Sequence, residues 1–191
     1  MPAVGRGAAP RGFTLIEMVV VLAILGLFLT IAIPRMTTSA KTRVRQSAQQ
    51  LAQDLELTRT RALTSRSAVR VTFDPASRSY RPYLDFNRDS VFAQSQAEND
   101  SLRAFARHTL AAGVQFSRPG GVPDLPMLPG AGSITLVSNR IDFDARGLTT
   151  PFGSKGVLYL SDPSDATAIG AVSITAASGI RAWIYQGGVW Q

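Results

Sequence analysis

One stretch limits this chain more than any other. RGFTLIEMVVVLAILGLFLTIAIP, residues 11–34, is apolar from Phe13 to Ile33 except for Thr14, Glu17 and Thr30. A helix over those residues rises about 31 Å, the hydrocarbon thickness of a bilayer. The leader ahead of it, MPAVGRGAAPRG, holds Arg6 and Arg11 and no acid. By the positive-inside rule the leader stays in the cytoplasm and the rest of the chain points outward. The run therefore predicts a membrane span at 13–34 with a C-terminal domain outside. Glu17 is the anomaly, because an ionised side chain is costly inside a bilayer and is rarely there without a task.

Two simpler readings compete. In one, the run is a secretory signal peptide with Thr38-Ser39-Ala40 as its small-residue cleavage site. The run is longer than a usual signal core, and Glu17 sits inside it. In the other, the run is a signal anchor that is never processed. Neither gives Glu17 a role.

Gly12-Phe13-Thr14-Leu15-Ile16-Glu17, with Arg11 before it and the apolar run after it, resembles the class III leader site of type IV pilins and type II secretion pseudopilins. The resemblance implies that a prepilin peptidase cuts between Gly12 and Phe13 and that Phe13 becomes the N-methylated first residue. Glu17 then occupies the family's acidic fifth position. Cleavage creates an amine at Phe13 that must enter an apolar filament core. A carboxylate from a neighbouring subunit offsets its desolvation, and either charge alone is strongly unfavourable. Such a pair fixes the axial register between helices, which makes Glu17 an assembly residue. Gly26 and Pro34 both weaken a helix, and related filaments melt the helix between such positions; a kink at the membrane exit is the alternative.

From Arg35 to Ser67 there is no Gly or Pro, and Ala40, Val44, Ala48, Leu51, Leu55, Thr58 and Ala62 recur at steps of three and four. That spacing predicts a helix over 35–67 with a narrow apolar stripe packed on a sheet. The resemblance implies that it continues the membrane helix.

After Ser67 the period becomes alternating: Val69, Val71 and Phe73 face one way and Arg70 and Thr72 the other, with DPASRS as a turn. Strands are expected at 80–86 and near 103–107, 113–117, 133–138, 140–144, 156–160, 169–176 and 179–186. Residues 87–102 read as loop, and the Pro- and Gly-rich 118–133 as a long surface loop. The fold class is α+β: a long N-terminal helix packed on an antiparallel β head. Ile141-Asp142-Phe143-Asp144-Ala145-Arg146-Gly147, the strand from Gly156, Ser178-Gly179-Ile180-Arg181 and Trp190 resemble the GspH/FimT branch of pilin-like proteins, with Ile180 interrupting its usual Gly-Arg pair.

Composition removes several chemistries. The chain of 191 residues has no Cys and one His, His108. Disulfides, thiolate zinc sites and thiol catalysis are excluded, and a lone His reads as a packing or surface residue. Asp85-Phe86-Asn87-Arg88-Asp89-Ser90 is similar to the start of a calcium loop, but it lacks the Gly at the sixth place and has Gln96 where a bidentate Glu belongs. It reads as a solvated turn. No phosphate-binding Gly loop, HExxH or dinucleotide fingerprint occurs. The reading assigns no catalytic residue, no cofactor and no metal. The net charge of +7 attracts polyanions, yet the Arg residues are scattered.

The sequence-level expectation divides the chain into a cleaved leader (1–12), a transmembrane helix (13–34), its amphipathic continuation (35–67) and a periplasmic β-rich head (68–191). Its function is that of a minor pseudopilin in the inner membrane, working in or near the tip of a type II secretion pseudopilus. Its partners are other pseudopilins, the secretion platform and the prepilin peptidase. The alternatives are a minor type IV pilin, a DNA-binding pilin of transformation, and a secreted periplasmic enzyme.

Overall fold

A computed structural model describes residues 13–35, 39–85, 87–90, 92 and 107–191, with the side chains of 29–35 outside the description. Two compact units result, one ending at Thr38 and one comprising Ser39–Gln191.

In the first unit, helix α1 runs Leu15–Arg35 and continues through Gly26. Thr14 starts it. The Thr14 hydroxyl accepts from the Glu17 N–H at 3.3 Å, satisfying one of the unpaired donors of the first turn. Thr14 and Glu17 have the Thr-x-x-Glu spacing of a capping box. Residues 13–28 are all exposed. Among the described residues no helix is long and apolar enough to cross a membrane.

In the second unit, helix α2 spans Ala40–Ser65. Ser39 has extended backbone (φ −63°, ψ 151°) and its side chain accepts from the Thr42 N–H. The helical turn is thus interrupted at Ser39, where the sequence reading expected continuous helix, and a capping serine is the local reason. Of the expected stripe, Val44, Ala48, Leu51, Leu55, Thr58 and Ala62 are buried, joined by Ser47, and Ala40 is half-buried. Each fully buried Leu or Val contributes about 1.5–3 kcal/mol relative to exposure. The helix ends at Arg66 in the left-handed region, φ 50°.

Among the described residues the head contains two antiparallel sheets. Strands β1 (Val69–Asp74), β2 (Ser79–Leu84), β3 (His108–Thr109), β5 (Arg140–Phe143) and β6 (Thr149–Thr150) form one, ordered β3-β2-β1-β5-β6. Strands β4 (Gln115–Phe116), β7 (Gly156–Asp162), β8 (Asp165–Ile174), β9 (Ile180–Gln186) and β10 (Val189–Trp190) form the other, ordered β10-β9-β8-β7-β4. Alternation sends Val69, Val71, Phe73, Ile141 and Phe143 of the first sheet and Leu158, Leu160, Val172 and Ile174 of the second into one core with the α2 stripe. The opposite sheet faces behave differently. On β1, Arg70 grips Asp142 of β5 with two bonds of 2.8 Å. On β7 and β8, Val157, Tyr159 and Ala171 form a second apolar cluster with Leu125 and Leu128.

That second cluster adds three anchors to the surface loop expected at 118–133. Val122, Leu125 and Leu128 are buried, and the Leu125 N–H donates to the Tyr159 hydroxyl at 3.1 Å. Arg118 donates to the Val122 and Gly130 carbonyls and lies 4.7 Å from the Tyr159 ring centre. The segment is a lid over the outer face of the second sheet, so β7 is buried on both faces along its whole length.

Other expectations shift. Residues 133–138 make only a bridge, Ile134 to Leu158, before a 3₁₀ turn at Val137–Asn139 in which Ser138 and Asn139 have positive φ. Of the strand expected at 103–107, residues 103–106 lie outside the described residues; Arg107 is not in a strand, and β3 begins at His108.

Candidate functional site

The candidate site at the N-terminus comprises Gly12, Phe13 and Glu17. Gly12 lies outside the described residues. Phe13 precedes α1 and is 76% exposed. Glu17 stands in the first turn of α1, four residues from Phe13, with its backbone N–H on Thr14. An acid in a first turn is favoured by the helix dipole whatever else it does. Around it Leu15, Ile16, Met18, Val19 and Leu22 are more than half exposed. A helix apolar on every face needs an apolar partner, lipid or other helices, to bury it.

In the head, three arginines, Arg140, Arg146 and Arg181, show how the positive charge is placed. Arg146 is bonded to Asp144 at 2.9 Å, and Arg181 lies 4.4 Å from the centre of the Trp183 ring. Arg140 opens β5, in the other sheet from Arg181 on β9. The calcium-like stretch folds as a turn on its own first residue. Asp85 is buried and its two carboxylate oxygens accept from the N–H groups of Asp89 and Ser90 (3.1 and 3.0 Å). Among the described residues no three His, Cys, Asp or Glu converge to hold a metal. Phe86 and Gln96 lie outside those residues.

His108 has a partner 54 positions away that no local pattern announces. Its Nδ1 is 3.0 Å from Asp54 Oδ2, and its ring stacks on Tyr80 at 5.3 Å. The Tyr80 hydroxyl donates to the same carboxylate, while Gln50 Nε2 donates to the other oxygen at 2.8 Å. Burial, and then the Asp54 contact, push the Tyr80 hydroxyl far above its ordinary range, so it is a fixed donor. The cluster ties α2 to β2 and β3.

Close packing positions α2 on the second sheet. A side chain at Gly170 of β8 would meet Val44 Cγ1 at 3.0 Å and the Trp183 carbonyl at 3.3 Å. At the far end of the helix, a side chain at Gly147 (φ 70°) would meet Leu63 Cγ at 3.0 Å, and the Gly147 carbonyl accepts from Arg59 Nε at 2.9 Å. Glycine is required there on both counts.

The prokaryotic N-terminal methylation motif matches residues 8–33, and the type II transport protein GspH family matches residues 47–179. The chain belongs to the GspH family. The GspH match starts within α2 and takes in β1 through β8, so the helix-on-sheet unit just described is a GspH domain with a pilin-like fold. GspH-family chains are structural subunits of the pilin and pseudopilin kind. No curated protein matches this chain. Solved structures similar to it include the type IV minor pilin FimU of Pseudomonas aeruginosa, at 13% identity and TM-score 0.49, over 78% of this chain and 92% of that one. The minor pseudopilin EpsH of the Vibrio cholerae type 2 secretion system is similar at 17% identity and TM-score 0.48, over 73% of this chain and 95% of that one.

Proposed function

We propose that this GspH-family chain is a minor pseudopilin that enters the periplasmic pseudopilus of a type II secretion system and supports protein export. The observation that carries this reading is the order of two matches along one chain, a methylation motif at 8–33 and then a GspH domain at 47–179. In this reading residues 13–34 insert in the inner membrane with the head in the periplasm. The prepilin peptidase cuts after Gly12 and methylates Phe13. During assembly the Phe13 amine leaves the membrane surface for an apolar helix bundle, where the Glu17 carboxylate of a neighbouring subunit neutralises it. The pair is favourable only when both charges meet, so correct register is rewarded and slipped register is penalised.

Work is done by packing, not by bond chemistry. The exposed apolar face of α1 supplies the filament contacts, and the rigid head, locked to α2 at Gly170 and Gly147, supplies the outward surface. The partners are other pseudopilins and the inner-membrane platform. Deleting the gene from its native host tests membership. Loss of an exported protein from the medium, restored by the parent and not by Glu17→Leu, supports the secretion reading. Normal export with loss of retractable pili would transfer the chain to the type IV pilus.

A further inference from the structure

A cavity of about 460 Å³ opens on the head between the first turns of α2, the start of β8 and the end of β9. Its floor is apolar: Ala168 and Ile169 are buried, and Ile184 is half-buried. Lys41 and Arg45 line it, both exposed and one helical turn apart. Residues four apart on a helix are neighbours, and like charges there repel unless an anion sits between them. Arg43, which lies between them in sequence, is turned to Asp162. Neither Lys41 nor Arg45 forms an ion pair among the described residues. Asp165, the carboxylate that feels the Lys41 charge, is already bonded to the Thr167 N–H and hydroxyl at 2.9 and 2.6 Å.

Two cations above an apolar floor match an amphiphilic anion better than a free one. The volume lies in the range of small-ligand sites and suits one headgroup. Chain position adds a second argument, which rests on the membrane reading above. Lys41 follows Pro34 by seven residues, so an inserted run holds it within about 25 Å of the apolar segment's end at full extension. We propose that the Lys41–Arg45 cavity holds the headgroup of an anionic phospholipid of the periplasmic leaflet, with the phosphate between the two cations and the glycerol end on Ile169 and Ile184. The contact holds the head close to the membrane before the subunit is taken into a filament.

Native mass spectrometry of the full mature chain in detergent, offered equal phosphatidylglycerol and phosphatidylcholine, reads this directly. Each basic group near an anionic surface contributes about fivefold, so the parent retains phosphatidylglycerol over phosphatidylcholine by about 25-fold. The double variant Lys41→Gln/Arg45→Gln falls to near parity. The exchanged pair Lys41→Arg/Arg45→Lys and the distant Arg140→Gln keep the preference. No preference in the parent, or a preference that survives the double Gln variant, overturns the proposal. Release of the lipid by an equal concentration of inorganic phosphate would show a plain anion site, and release by duplex DNA at about physiological salt a nucleic-acid site; either overturns it. Carbonate extraction of cells separates this from the underlying reading. Parent and double variant both staying in the membrane, without lipid preference, sinks only the cavity proposal, whereas a parent washed free sinks the anchored reading itself.

Discussion

Arg43 and Asp162 are 119 residues apart in sequence, yet Arg43 Nη2 lies 2.6 Å from Asp162 Oδ2 and Nε lies 3.1 Å from the same oxygen. The Asp162 side chain is 1% exposed. One guanidinium thus fastens the first turn of α2 to the turn between β7 and β8. The Ser164 hydroxyl, and then Arg43, pull the Asp162 carboxyl down to about 2.

The sign of the pH effect follows. A carboxylate with a depressed folded value contributes stability above its unfolded value of about 3.9 and loses that contribution as pH falls through the folded value. Part of the head's thermal stability is therefore lost between about pH 4 and pH 2, and Asp162→Asn removes that part of the slope. Arg43→Gln lowers Tm at neutral pH, and its difference from the parent shrinks towards pH 2. Trp183 and Trp190 give the fluorescence signal for the melts. A pH profile of Asp162→Asn parallel to that of the parent contradicts the assignment.

Leu51 is fully buried in the stripe by which α2 holds both sheets. Leu51→Ala costs about 2–5 kcal/mol by lost burial and the cavity left behind, read as a shift in the denaturant midpoint with unchanged m. Gly170→Val tests the same interface from the sheet side, by forcing a side chain against Val44 and the Trp183 carbonyl. A loss below about 0.5 kcal/mol for both would mean that α2 is not seated as described.

Tyr80→Phe removes one donor from Asp54 and leaves His108 and Gln50 in place. The cost is about 1.5–3 kcal/mol, the net worth of a hydrogen bond to a charged group. Asp54→Ala removes the shared acceptor of all three and costs more. Equal effects of the two variants by chemical denaturation would show that the cluster is not organised around Asp54.

Much of this was legible because the deciding signals are periodic. The α2 stripe stands out at steps of three and four, and β1, β7, β8 and β9 are long enough to show alternation or a continuous apolar run. Strands of two residues, such as β6 and β10, have no period to read. The Pro- and Gly-rich composition of 118–133 reads as a surface loop, yet that segment is held down by Tyr159 and by the bond from Trp190 Nε1 to the Pro123 carbonyl at 3.2 Å. These are long-range contacts, invisible to a local pattern. The same holds for His108 with Asp54 and for Arg43 with Asp162. At the N-terminus the methylation motif at 8–33 is legible as a run of residue types, and the Thr14 cap follows from the Thr-x-x-Glu spacing.

The positive charge predicts weak, salt-sensitive adhesion of polyanions and no more. Each phosphate neutralised adds about −0.9 to the slope of log affinity against log salt on duplex DNA, so a dedicated groove of four or five Arg gives a slope near −4. Arg146 is bonded to Asp144 and Arg181 is stacked on Trp183, so a shallow slope and no useful binding at about physiological salt are expected. Tight binding there, abolished by substituting Arg140, Arg146 and Arg181, would establish the transformation-pilin alternative.

Glu17→Leu separates insertion from assembly. In the proposed assembly the run becomes more apolar and insertion is expected to persist, while the Phe13 amine loses its counter-charge. An uncompensated buried charge costs about 3–5 kcal/mol, enough to lower filament entry about a hundredfold or more. Cross-linking to neighbouring pseudopilins measures it, with leader cleavage checked in parallel. Parental cross-linking in a cleaved Glu17→Leu chain would refute the charge-pair account.

The central claim is that this chain is processed as a pseudopilin, and the intact mass of the mature protein tests it most directly. In cells with a prepilin peptidase, the account predicts a chain that starts at Phe13, lacks residues 1–12 and bears one added methyl group on its amine. A mature chain starting at Lys41, or one retaining the whole leader in the presence of active peptidase, would contradict it.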